Sequence, residues 1–286
     1  RDPLPHLFAA GRAPVSLLEP DMHPFVAATT TDADGVAVFD MAWAQGRGVY
    51  GGLPAGLMVR AMEALVDDPK ATPLRSFTVH FCLPATPGEV TVQARVMRAG
   101  RRVTHAQAEV VRGEAVIAFA SGSLAAGRPA DLAWDRVPMP DALPVENVPS
   151  INIAAMGGPR FTRFFEYRFA GGPMLWSGAE EPLVRMWVRP GQTATVVDAA
   201  LVVGMLDAGP PAALTRTLGP RVVASVDFRV QLFGAMPLDG VDPTGFWLME
   251  SRADTVGEGY MEELTHLWAP DGRHVGTCQQ LVAILD

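Results

Sequence analysis

Polar and apolar residues alternate along four long runs of the first half of the chain: Leu74–Leu83, Glu89–Ala99, Arg102–Arg112 and Ala115–Leu124. Each is rich in β-branched and apolar residues at the period of two that a half-buried strand requires. The connectors Ala99–Arg101 and Arg112–Glu114 each carry a glycine and are predicted hairpin turns. Upstream, Phe25–Thr31 and Val36–Ala42 read as two shorter strands around an Asp-Ala-Asp-Gly turn at Asp32–Gly35. Between these groups the period changes to helical. Gly51-Gly52 opens a helix predicted to run to about Val66, with Leu57, Ala61, Ala64 and Leu65 at core spacing and Arg60 and Glu63 outward. Pro54 suits its first turn, where a missing N–H costs little.

The same order returns in the second half. Strands are expected at Phe164–Phe169 and Leu183–Arg189, followed by an almost wholly apolar helix from Asp198 to Asp207 that stops at Gly209-Pro210-Pro211. Long strands follow at Arg221–Leu232, Gly245–Thr255, Gly259–Ala269 and His274–Leu285. Between the halves, Ala125–Pro159 holds Pro129, Pro138, Pro140, Pro144, Pro149 and Pro159 without sustained periodicity, the mark of a surface linker. Strand, strand, helix and four strands, occurring twice, predict an α+β chain of two tandem hotdog units, each a long helix wrapped by an antiparallel sheet. The expected division is an N-terminal unit over 1–125, a linker over 126–159 and a C-terminal unit over 160–286.

Composition narrows the function. A net charge of −8 argues against a nucleic-acid partner, which needs a basic face. Hydrophobic residues make up 49% of the chain, enough for a large core, yet no run approaches the ~18 apolar residues of a membrane span. The two cysteines, Cys82 and Cys278, sit in strand-like runs, which fits a reducing cytoplasm better than a stapled secreted scaffold. Arg1–Pro20, with four prolines, reads as an arm laid over a domain. The chain opens on Arg rather than Met, so its natural start is expected upstream. No close His/Cys pairs suggest a metal, and no cofactor is expected.

Several segments carry a family resemblance. Gly48-Val49-Tyr50-Gly51-Gly52 before the first helix, and Leu74-Arg75-Ser76-Phe77-Thr78-Val79-His80-Phe81 after it, resemble the first half of the acyl-CoA thioesterase II family. Leu206-Asp207-Ala208-Gly209-Pro210-Pro211, Ala224-Ser225-Val226-Asp227-Phe228 and Val275-Gly276-Thr277-Cys278-Gln279 stand where that family has its site motifs. The resemblance runs from about His23 to the end and implies a water held by an Asp, a Thr or Ser, and a Gln: here Asp207, Ser225 and Gln279. It implies hydrolysis of acyl-CoA thioesters.

The residues themselves support part of this. Asp207 is the only ionisable group in the second helix after its first residue, so packing should desolvate it and raise its pKa toward a useful base. Asp198 lies nine residues earlier, on the opposite side of a helix turning about 100° per residue, and reads as an N-cap. Ser225 can donate to and accept from a water, and Gln279 can orient one. Strict strand alternation would put Ser225 on one face with Asp227 and Arg229, and Gln279 with Thr277 and Leu281. A backbone donor at Gly52 is the candidate for the developing oxyanion. Arg98, Arg101 and Arg102, beside Arg95, are candidates for the phosphates of coenzyme A.

Aligning Gly52 with Asp198 sets Ala61 opposite Asp207, so one site per chain is expected, unless Glu63 proves essential. Two other readings share the fold: an acyl-thioester-binding protein with little turnover, and an enoyl-thioester hydratase or dehydratase. The latter needs a His with an Asp. Among the six histidines His80 is the candidate, but the first half offers it no evident carboxylate. No Gly-x-Ser-x-Gly elbow occurs, and Ser121-Gly122-Ser123 lacks the flanking pattern. Exposed sheet edges and faces favour pairing of chains into dimers or tetramers.

Overall fold

The computed structural model describes residues 23–191 and 196–285. The proposed N-terminal arm, Arg1–Pro20, lies outside them. The first half contains α1 (Pro24–Ala28), β1 (Val36–Phe39), the two-residue strands β2 (Ala44–Gln45) and β3 (Gly48–Val49), and α2 (Gly52–Glu63). Strands β4 (Leu74–Phe81), β5 (Gly88–Ala99), β6 (Val103–Arg112) and β7 (Ala115–Ala125) complete it. A long connection, paired only through β8 (Ser150–Ile151), leads to β9 (Phe165–Gly171), β10 (Leu183–Pro190) and α3 (Ala199–Leu206). Then follow β11 (Val222–Leu232), β12 (Trp247–Gly257), β13 (Tyr260–Trp268) and β14 (His274–Leu285).

The expected strand over Phe25–Thr31 is a short helix instead. Pro24 presets the first-turn dihedral, the His23 ring accepts from the Phe25 N–H, and the hydroxyls of Thr29 and Thr30 bond back to the carbonyls of Phe25 and Val26. Phe25 is fully buried under Gly56 and Gly204, so tertiary packing overrides its strand propensity. The first long helix ends at Glu63, short of Val66.

All strands except β2 and β3 form one sheet, in the order β1-β5-β6-β7-β4-β11-β14-β13-β12-β10-β9-β8, and every pairing is antiparallel. The halves meet where β4 pairs with β11, from Asp227 opposite His80 to Gln231 opposite Ser76. One face is dry: Phe77, Val79, Ala118, Ala120, Phe228, Val230, Cys278 and Val282 are buried on it. Against that face lie α2 and α3. Nine of the twelve α2 residues are buried, and all eight of α3. A helix apolar all round has to be covered all round, and here the sheet and the partner helix cover it. The two helices approach so closely that a Cβ on Gly52 would stand 3.0 Å from the Gly204 Cα. This contact sets the start of α2 beside the end of α3. Among the described residues, no helix is long and apolar enough to cross a membrane.

Candidate active site

Asp207 is the C-cap of α3, its N–H bonded to the Gly204 carbonyl at 3.3 Å. A negative charge there opposes the helix dipole, so the carboxylate needs donors from elsewhere. It has two. Gln280 Nε2 donates to its Oδ1 at 3.0 Å, and the Gly52 N–H at the start of α2 also donates to the carboxyl. Gly51 leaves room for the approach, since a Cβ there would lie 2.9 Å from Oδ2 and 2.8 Å from the Phe81 ring. Ser225 Oγ in turn donates to Gln280 Oε1 at 3.2 Å. Hydroxyl, amide and carboxylate thus form one chain. Burial pushes the Asp207 carboxyl up to about 7, although the bonds from Gln280 and Gly52 pull the other way.

A one-residue bulge makes this chain possible. Along the β11–β14 ladder Ser225 faces Val282 but Asp227 faces Leu281, leaving Val226 unpaired. The bulge flips the parity of β11, so Ser225 and Phe228 both face the helices while Asp227 and Arg229 face outward. Strict alternation, which grouped Ser225 with Asp227 and Arg229, fails here. The expectation for Gln279 also needs correction. Gln279 stands opposite Arg229 on the outer face, exposed, with its amide on Glu262 at 3.2 Å. Its neighbour Gln280 is buried, shares the inner parity of Cys278 and Val282, and takes the place at Asp207.

Around this chain lies a cavity of about 20 Å³, measured as the space open to the centre of a water molecule. That is room for one water, and polar walls give it partners. Asp207, Ser225, Gln280, Ser251 and Glu263 supply the walls, with Val223, Leu206, Pro211 and Val282. Ser251 is held by a hydroxyl bond to Thr265 at 2.8 Å. Glu263, on β13 directly across from Gln280, is a second buried carboxyl. Burial pushes it up to about 8, and the nearby Asp207 charge adds to the rise. Sequence reasoning missed Gln280, Ser251 and Glu263. The signal for two of them was present: Gln280 shares its strand parity with Cys278 and Val282, and Glu263 with Met261 and Leu267, all apolar.

The remaining candidates fall elsewhere. The Gly52 N–H is engaged by Asp207 rather than free for an oxyanion. Arg98, Arg101 and Arg102 are exposed at the β5–β6 hairpin tip. The ladder sets Ala99, Thr104, Leu124 and Leu74 in one row. Phe81, beside Gly51, lies seven positions along β4 from Leu74 in that row, roughly 23 Å of strand. The structure does not bring the arginines to the cavity. His80 does have a carboxylate neighbour, supplied by the other half: Asp227, at 3.8 Å across the β4–β11 junction. The pair lies on the outer face, with side chains 47% and 34% exposed, and His80 stacks on Phe119.

At the other ends of the two helices the surroundings differ. Arg60, near the end of α2, pairs with Asp198 at 2.7 Å and donates from Nε to the Thr29 hydroxyl at 2.8 Å. Asp198 also caps α3 by accepting from the Leu201 N–H at 2.9 Å. Glu63 is pushed up to about 7 by burial, with the Asp198 charge adding to it and Arg60 opposing it. An ion pair fills the place where the first pair of helix ends holds a carboxyl, an amide and a hydroxyl.

This fold has counterparts among solved structures. A conserved hot dog fold protein of unknown function from Alicyclobacillus acidocaldarius is 21% identical, over 93% of this chain and 99% of that one, with a TM-score of 0.82. A TesB protein of Mycobacterium avium subs paratuberculosis is 16% identical over 93% of this chain and 100% of its own, with a TM-score of 0.74. An acyl-CoA thioesterase II of Mycobacterium marinum is 17% identical over 82% and 88%, with a TM-score of 0.66. The fold is therefore a hotdog fold. No curated protein matches the sequence. Two domain families do: the acyl-CoA thioesterase N-terminal domain over residues 39–125 and the C-terminal domain over residues 129–284. The chain belongs to the acyl-CoA thioesterase family, and its activity is thioester hydrolysis.

Proposed function

We propose that the chain hydrolyses acyl-CoA thioesters with a water held in the cavity between the end of α3, β11 and β14. The hydrogen-bonded chain from Ser225 through Gln280 to Asp207, opening on space for one water, carries this reading. Asp207 is the base. Its carboxyl is poised near neutrality, where it can be ionised at rest and still gain a proton during the reaction. Gln280 uses one amide hydrogen to orient the base and its oxygen to fix the Ser225 hydrogen, so Ser225 Oγ presents lone pairs to the water. The water gives a proton to Asp207 while its oxygen bonds to the thioester carbonyl carbon. The tetrahedral intermediate then collapses with cleavage of the C–S bond, and Asp207 returns its proton to the departing sulfur, releasing the thiol and the acid and restoring the base. Gly52 acts by holding the base, and the positive end of the α2 dipole above it favours the developing negative charge.

On this reading two hotdog units make up the chain, divided near 125 and 159, and one of their two helix-end junctions is catalytic. The Arg60–Asp198 pair seals the other. A dehydratase reading has less support, because its His–Asp pair is half-exposed on the outer face, where His80 lines an open groove with His105 and Phe119 that does not shield the pair from water. The test is thiol release by the purified chain from short, medium, long and aromatic acyl-CoAs, beside equilibrium binding of the same panel. Release from any member supports the reading. Binding without release would make the chain a thioester-binding relative.

A further inference from the structure

The proposed mechanism uses one carboxyl, yet the cavity has two. Glu263 is 5% exposed, faces Gln280 across the β13–β14 ladder, and lines the same water-sized space as Asp207. Its Oε2 accepts the Ala212 N–H at 2.5 Å. Among the described residues no ion pair reaches it. The titratable groups around it are Asp207 beyond α3 and the Cys278 thiol on β14, with Glu262 on its own strand turned to the outer face. Nearby, Tyr50 and Tyr167 face Asp207, and burial keeps both phenols neutral. None of these groups is cationic.

A buried carboxylate with no cation, beside a second carboxylate, is stable only in its neutral form. We propose that Glu263 is a positioning residue of the active site: it stays protonated while Asp207 is ionised, so the cavity carries a single negative charge, on the base. This rests on the hydrolytic reading above. With Oε2 occupied by Ala212, the proton is left for the other oxygen, which offers a donor to the cavity. Ionisation of Glu263 places a second negative charge beside the forming oxyanion and slows the reaction. The dyad titrates as a pair, with its first proton lost mainly from Asp207, near 7, and its second mainly from Glu263, near 8.

Two experiments test this together. The first is the pH profile of kcat/KM for wild type, Glu263→Gln and Glu263→Leu. Wild type should give a bell. Glu263→Gln, a neutral isostere that still accepts from Ala212, should keep the acid limb and lose the alkaline fall. Glu263→Leu should lose turnover that Glu263→Gln restores. An alkaline limb unchanged in Glu263→Gln overturns the proposal. So does a folded Glu263→Gln that is inactive at every pH, since the charged form would then be required.

The second experiment needs no turnover: carbon-13 NMR titration of the glutamate carboxyls in wild type and Asp207→Asn, with Glu263→Gln assigning the signal. Glu263 should titrate near 8 in wild type and lower in Asp207→Asn, where the neighbouring charge is gone. Titration in the ordinary glutamate range, or no response to Asp207→Asn, overturns the proposal whatever the activity. If no thioester is hydrolysed, the hydrolytic reading fails separately and the NMR result alone decides the state of Glu263.

Discussion

The neighbouring glutamines of β14 offer a sharp perturbation, because a shift of one residue exchanges the two faces of the sheet. Gln280→Ala removes the donor to Asp207 Oδ1 and the acceptor for Ser225 Oγ, at 3.0 and 3.2 Å, inside a site with little water to replace them. A hydrogen bond to a charged group contributes about 1.5–3 kcal/mol, and at about 1.4 kcal/mol per tenfold in rate this is roughly a 10- to 150-fold loss in kcat/KM. The direction of a second effect follows from the same bond. Gln280 lowers the Asp207 carboxyl from where burial alone would put it, so removing Gln280 should move the acid limb of the pH profile upward from about 7. Gln279→Ala breaks only an exposed contact with Glu262 and should stay within ~0.5 kcal/mol, about twofold. The assay is thiol release against pH for both variants, with circular dichroism to confirm folding. A large loss in Gln279→Ala with a small one in Gln280→Ala would refute the register, and with it the site.

Other predictions follow from the same geometry. The carboxyls of Asp207 and Glu263 hold their protons more tightly folded than unfolded, so these two groups contribute stability that is lost as pH rises from 4 to 8. Below about pH 6.5 the buried His23 ring, lowered to about 4, works in the opposite direction, so net stability should fall from pH 6.5 to 9. Asp207→Asn should flatten part of that fall and be more stable than wild type at pH 9, by an amount on the order of a few kcal/mol, measured by urea unfolding at several pH values. A wild type that gains stability from pH 6.5 to 9 contradicts both assignments. Gly204→Ala places a methyl 2.7 Å from the Phe25 ring and 3.1 Å from the Tyr50 hydroxyl, where the helices meet. Overpacking of that kind costs about 1–3 kcal/mol, so Tm should drop by several degrees, and an unchanged Tm would show that the contact can relax.

The frame of this molecule was legible because its long strands and two helices follow simple periods. β4 to β7 and β11 to β14 lie within a few residues of where alternation puts them, and Asp198 and Asp207 bracket α3 as charges bounding an apolar helix should. Asp207 was legible for the same reason: one carboxyl at the end of eight buried residues. Other features were set by tertiary structure. The bulge at Val226 has no local signature, and it alone decides that Ser225 faces inward. The choice of Gln280 over Gln279 follows from ladder register, although the buried parity of β14 already favoured Gln280. The short α1 replaced a predicted strand because Phe25 packs beneath two helix glycines from distant parts of the chain. The carboxylate beside His80 came from the other half, through a strand pairing that no local pattern encodes.

The proposed hydrolysis depends above all on Asp207 as the base. Its most direct test is thiol release by wild type and Asp207→Asn, on an acyl-CoA that wild type hydrolyses, with substrate binding measured for both. Asp207→Asn should bind the substrate but lose at least about a hundredfold in kcat, as removal of a general base should. An Asp207→Asn variant within a few-fold of wild type would contradict that role and place the base elsewhere in the fold.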